Sequence, residues 1–145
     1  MGTVQAEAAE KAQTVIRANW FILEDAQGRA RAELDMAKEG PRLRLSDENR
    51  NVRAGLVVKK EGHGLDLYDE NGAPRAALGV KEDGPGLVLS DEKGKTRAVL
   101  DVLKGKPSMH LSDENGKPRA GLTARKDGSG LNLRDEDGKT TWSTP

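Results

Sequence analysis

Apolar residues in this chain alternate with polar ones instead of recurring at three and four: Leu65 and Leu67, then Ala76, Leu78 and Val80, then Leu87 and Leu89. That two-residue period belongs to strands with one apolar face. The residues between them, such as Asp66, Arg75 and Lys81, fall on the opposite face and stay solvated. Two kinds of turn signal separate the runs. One resembles Asp69-Glu70-Asn71-Gly72, in which the Asp side chain can bond a backbone N–H two residues on. The other sets an acid before glycine, as in Glu39-Gly40, Glu61-Gly62, Asp83-Gly84 and Asp127-Gly128, with Gly105-Lys106 inverted. Glycine accepts the positive φ that tight hairpin turns require. The pattern predicts a meander of roughly eleven short strands from about Trp20 onward.

The pattern is also periodic. Asp25, Asp47, Asp69, Asp91, Asp113 and Asp135 stand 22 residues apart with no insertion. Gly28, Gly72, Gly94, Gly116 and Gly138 follow three residues later, and Arg50 is the exception. Arg31, Arg53, Arg75, Arg97 and Arg119 come next, each followed by Ala32, Ala54, Ala76, Ala98 or Ala120, and then by Leu34, Leu56, Leu78, Leu100 or Leu122. The sixth copy breaks off into Thr141 and Trp142. A residue that recurs in every unit serves a job every unit shares, and in repeats that job is folding. These glycines, alanines and leucines are therefore structural candidates. The arginines are expected to pair with turn carboxylates, and Trp142, in the alanine register, to cap the last apolar edge.

Composition narrows the fold. Only 34% of the 145 residues are hydrophobic, 3% are aromatic and 33% are charged, too little apolar material for a thick two-layer core. The expected class is all-β, either an elongated repeat meander or β-solenoid or an intertwined trimeric β-fibre, because a one-sided apolar ribbon must close on itself or on other copies. If Leu65 faces Ala76 and Val80 faces Leu87, the stack slips by about four residues per unit, roughly 13 Å, which predicts a coiled or barrel-like path. The small alanine repeated at one inward position points to a crowded axis, and hence to a homotrimer. Residues 1–19 differ from the repeat domain at 20–145. Glu7–Thr14 is rich in helix formers, and Val4, Ala8, Ala12 and Val15 form a stripe suited to the end of a coiled coil. Met1-Gly2 reads as the start of a shortened chain.

Chemistry is sparse. The 24 basic and 24 acidic residues cancel and interleave, which argues against nucleic acid and anionic membranes as partners. No run of this sequence has membrane-spanning length, and with no cysteine no disulfide is expected. His63 and His110 lack an obvious partner, and Ser46, Ser90 and Ser112 recur before turn aspartates, so no catalytic constellation and no cofactor is expected. Asp69 with Asn71, and Asp135 with Asp137, are weak candidates for calcium. They depart from the alternating acidic loop, and the distal bidentate Glu is missing. Trp20, Phe21, Tyr68 and Trp142 do not recur per unit, which disfavours a glycan-stacking surface.

The motif Leu-x-Leu-x-Asp-Glu-x-Gly-x-x-Arg-Ala-x-Leu, with Val15-Ile16-Arg17-Ala18 before it and Trp142-Ser143-Thr144-Pro145 after it, resembles a group of uncharacterised bacterial β-hairpin repeat proteins. That resemblance spans almost the whole chain and implies no activity. The Asp-x-x-Gly element is also similar to the YD repeats of Rhs-type proteins, although a tyrosine precedes the aspartate only at Tyr68. The expected function is a non-catalytic structural or adhesive spacer, a self-associating bacterial fibre or stalk segment. The alternative is a surface module binding glycan, or calcium weakly at the acidic turns. The fibre reading favours the cell surface or an extracellular site.

Overall fold

The structure, a computed structural model, describes residues 16–144. The helix predicted over Glu7–Thr14 and its apolar stripe lie outside them. The described residues form twelve strands in one open antiparallel sheet, paired strictly in chain order. The strands are β1 (Trp20–Glu24), β2 (Ala30–Ala37), β3 (Gly40–Ser46), β4 (Val52–Lys59), β5 (Gly62–Tyr68) and β6 (Pro74–Lys81). Then come β7 (Gly84–Ser90), β8 (Thr96–Leu103), β9 (Lys106–Ser112), β10 (Pro118–Arg125), β11 (Gly128–Arg134) and β12 (Thr140–Ser143). β1 and β12 each have a single neighbour, so the sheet does not close into a barrel.

Two kinds of connection build the meander. The short one joins β6 to β7 through Glu82 and Asp83, with Lys81 paired to Gly84. The glycine is thus the first residue of the following strand, one place beyond the loop. Gly62 occupies the same position with φ 148°, and an added Cβ would stand 2.7 Å from the Val80 carbonyl oxygen, so a side chain is excluded there. In the fourth unit the loop is Lys104-Gly105, both left-handed at φ 51° and 75°, the signature of a type I′ hairpin.

The long connection is built on the repeated aspartate. The Asp69 N–H donates to the Ala73 carbonyl, and the Gly72 N–H donates to the Asp69 carbonyl. Gly72 is left-handed, φ 77°, completing a three-residue loop with a glycine bulge. Past that loop Tyr68 pairs with Pro74 but Leu67 pairs with Ala76, so Arg75 is an extra residue opposite no partner. The same shift passes over Arg31, Arg53, Arg97 and Arg119.

This geometry corrects the predicted stagger. Leu65 lies opposite Leu78, and Leu78 opposite Leu87, so each unit stacks on its equivalent with no slip. The expected four-residue slip and barrel-like path are not what the chain adopts. The three-residue loop and the bulge at each arginine move the register by one residue each, and the placement of the short loop one residue before its glycine moves it by two.

Zero slip aligns side chains into rows. One row crosses eleven strands as Phe21, Leu34, Leu43, Leu56, Leu65, Leu78, Leu87, Leu100, Met109, Leu122 and Leu131. Beside it runs a row in which large and small alternate: Leu23, Ala32, Leu45, Ala54, Leu67, Ala76, Leu89, Ala98, Leu111, Ala120, Leu133 and Trp142. No hydrophobic side chain among the described residues is fully buried. The sheet is one layer thick, and among the described residues nothing lies on its apolar face.

Candidate functional site

The apolar face is the most extensive chemical feature of the molecule. Leu78 is 53% exposed, Leu100 52% and Leu122 49%, although strand neighbours flank each on both sides. Lateral packing within one layer covers the flanks of a side chain and leaves its tip in water, so burial stops at about half. Soluble monomers rarely leave a continuous apolar patch larger than a few hundred Å². Here eleven inter-strand steps of about 4.8 Å, by about 17 Å along each strand, give a strip of roughly 900 Å². The five recurrent alanines stand between leucines on the neighbouring strands, so that Ala76 sits between Leu67 and Leu89. Trp142 takes the alanine position on edge strand β12 opposite Leu133, and remains 48% exposed.

The opposite face is polar and changes along the sheet. At its start Asp35 holds Arg42 at 2.7 Å, and Arg44 reaches Glu33 at 3.2 Å and Asp35 at 3.3 Å. In the middle Gly64, Gly79 and Gly86 pair across three strands. They floor an open depression of about 450 Å³ that is also lined by Ala77, Val88, Val99, Asp66 and Asp101. Toward the end Ser108, His110, Thr123 and Asn132 take the corresponding places. His110 lies on this face between Val99 and Gly121, whereas His63 pairs with Val80 on the apolar face.

The acidic turns are occupied by their own backbone. Asp69 Oδ1 accepts the N–H groups of Asn71 and Ala73 at 2.9 and 3.0 Å, and Oδ2 accepts Arg75 at 3.5 Å. Asp135 Oδ1 accepts the N–H groups of Asp137 and Lys139. Of the four weak calcium candidates, Asp69 and Asp135 therefore act as turn acceptors, while Asn71 and Asp137 donate main-chain N–H groups to them. Among the described residues no group of three or more His, Cys, Asp or Glu is arranged to hold a metal ion. Partial burial pushes the Asp25 carboxyl upward, but the N–H groups of Arg29 and Gln27 and the Arg29 guanidinium outweigh it and bring it down to about 2. The Ala73 N–H is the main cause of the lowering at Asp69, as the Lys95 N–H is at Asp91.

Each bulge arginine reaches its own turn aspartate: Arg31 to Asp25, Arg53 to Asp47, Arg75 to Asp69, Arg97 to Asp91 and Arg119 to Asp113, at 3.3–3.8 Å. Three of them also donate Nε to a carbonyl one turn further along: Arg31 to Ser46, Arg75 to Ser90 and Arg97 to Ser112. The recurring serine thus contributes its main chain, a role its hydroxyl did not suggest. In the other two units the corresponding residue is Tyr68 or Arg134, and there Nη1 of Arg53 and of Arg119 is buried without a partner among the described residues. These latches join successive turns along one margin of the sheet and position no reacting group.

No family model matches the chain, and no curated protein matches it. Among the described residues no helix is long and apolar enough to cross a membrane.

Proposed function

We propose that this chain is a structural spacer that works by self-association: a fibre or stalk segment in which three copies turn their apolar faces to a common axis, with no catalytic role. The observation that carries the reading is the uncovered row of leucines running the length of a one-layer sheet. A strip of roughly 900 Å² per copy is close to the ~800 Å² per partner of a standard stable interface. The alternating leucine and alanine row leaves a gap at every second strand, into which side chains of facing copies can fit. The interleaved charges of the other face keep the assembly's outer surface solvated. Sedimentation over a range of concentrations tests the reading, with whole multiples of three times the 15.6 kDa chain mass as the expected result. A single-chain mass at every concentration would overturn it, and a stable pair would replace the three-fold axis with a two-sheet sandwich.

A further inference from the structure

The two margins of the sheet break the repeat in the same way. β1 reads Trp20-Phe21-Ile22-Leu23, apolar on both faces and exposed throughout, where inner strands carry Arg44, Asp66, Val88, His110 or Asn132 in the register of Ile22 and Arg42, Gly64, Gly86, Ser108 or Gly130 in that of Trp20. With Trp142 on β12, the two edge strands hold three of the chain's four aromatic residues. Exposed edge strands are normally blunted by charge or proline because their free N–H and C=O groups template further pairing. β1 has only Glu24 at its far end.

The phase of the repeat supplies the complement. β12 matches β6 in the 22-residue period, Trp142 standing where Ala76 does, and β1 matches β7, Leu23 standing where Leu89 does. β6 and β7 are neighbours, with Ala76 opposite Leu89 and Ala77 opposite Val88. The Thr144 N–H is used on Leu131, so by strand alternation the main-chain groups of Ser143 point away from β11 and meet no partner among the described residues.

We infer that β12 of one copy pairs antiparallel with β1 of the next, Trp142 beside Leu23 and Ser143 beside Ile22, continuing the sheet from copy to copy. The contact repeats the β6–β7 pairing without a covalent loop. It joins unlike edges, so it does not close on itself and builds length. Lateral packing through the apolar face would set the thickness of such a fibre, and this contact its extension.

The cysteine-free chain permits a direct test. Opposed residues of an antiparallel pair lie about 5.5 Å apart at Cα, within disulfide range. A mixture of Ser143→Cys and Ile22→Cys proteins under mild oxidation is expected to give the mixed disulfide dimer, with little from either variant alone. The double variant is expected to give a ladder. Equal cross-linking by each variant alone, or no more from the mixture than from Ser143→Cys with Gln27→Cys, would overturn the inference. Leu78→Glu separates this contact from the lateral one: the mixed disulfide is expected to persist in that background even where lateral mass is lost. Ile22→Pro, on an edge strand that tolerates proline, is expected to shorten particles under electron microscopy with its melting temperature kept. Unchanged particle length would count against the pairing.

Discussion

The two faces of this sheet obey different rules. On the apolar face the same residue types return in every unit, Leu34, Leu56, Leu78, Leu100 and Leu122 above all. On the polar face the equivalent rows pass from the Asp35–Arg42 ion pair, through Gly64, Gly79 and Gly86, to Ser108 and Thr123. In the single chain the periodic face is the more exposed one, Leu34, Leu65 and Leu78 standing open where Glu33, Asp66 and Gly79 are half-buried, so contact with water does not explain the contrast. A face that meets only water tolerates any mixture of small and polar residues, whereas a face that must fit a periodic surface has to keep the period.

The sharpest break of that comparison is a charge placed on either side. Leu78→Glu, in the middle of the apolar row, is expected to weaken self-association by roughly 3 kcal/mol or more, over ~100-fold, through desolvation of an unpaired carboxylate. Val88→Glu on the polar face should leave the sedimenting mass unchanged. Equal effects would erase the distinction between the faces. Next in size, Ala76→Leu adds bulk between Leu67 and Leu89 without adding charge, and a reduced oligomer mass by light scattering is expected. Mass like the unsubstituted chain's would argue against a crowded axis.

Acid should act on the turns and spare the apolar face. The carboxyls of Asp25, Asp47, Asp69, Asp91 and Asp113 titrate lower when folded than unfolded, Asp25 at about 2 against an ordinary 3.8. Their stabilisation is therefore complete above the unfolded value and is lost as pH falls through the folded one. Denaturation midpoints are expected to hold down to pH ~4 and then drop toward pH ~2. Asp69→Asn should flatten part of that drop. A midpoint indifferent to pH in this window would show the turn bonds to be weak. The smallest effect belongs to Arg50, left-handed at φ 70° where other units carry glycine. Arg50→Gly relieves that backbone cost and is expected to stabilise the fold by up to ~1 kcal/mol in thermal melts, with mass unaltered.

Much of the architecture was readable beforehand. Strand positions, the glycine-bearing turns, the pairing of arginine with turn aspartate and the one-sided apolar face all follow from alternation and turn chemistry at residues such as Leu65, Gly72 and Arg75. The latch from Arg75 to the Ser90 carbonyl was not readable, since a main-chain acceptor leaves no mark on side-chain identity. Nor were the orphaned guanidinium nitrogens of Arg53 and Arg119, although Tyr68 and Arg134 in place of serine mark those two units.

The sequence by itself determined that this chain makes short strands joined by tight turns, and which side of each strand is apolar, because side chains on a strand alternate with a period of two whatever the strand pairs with. Only the tertiary structure decided that equivalent units stack without slip and that the sheet stays open. A shift of two residues keeps every leucine on its face, so the apolar pattern is blind to it. The backbone bonds of Asp69 and the unpaired place of Arg75 choose among those registers.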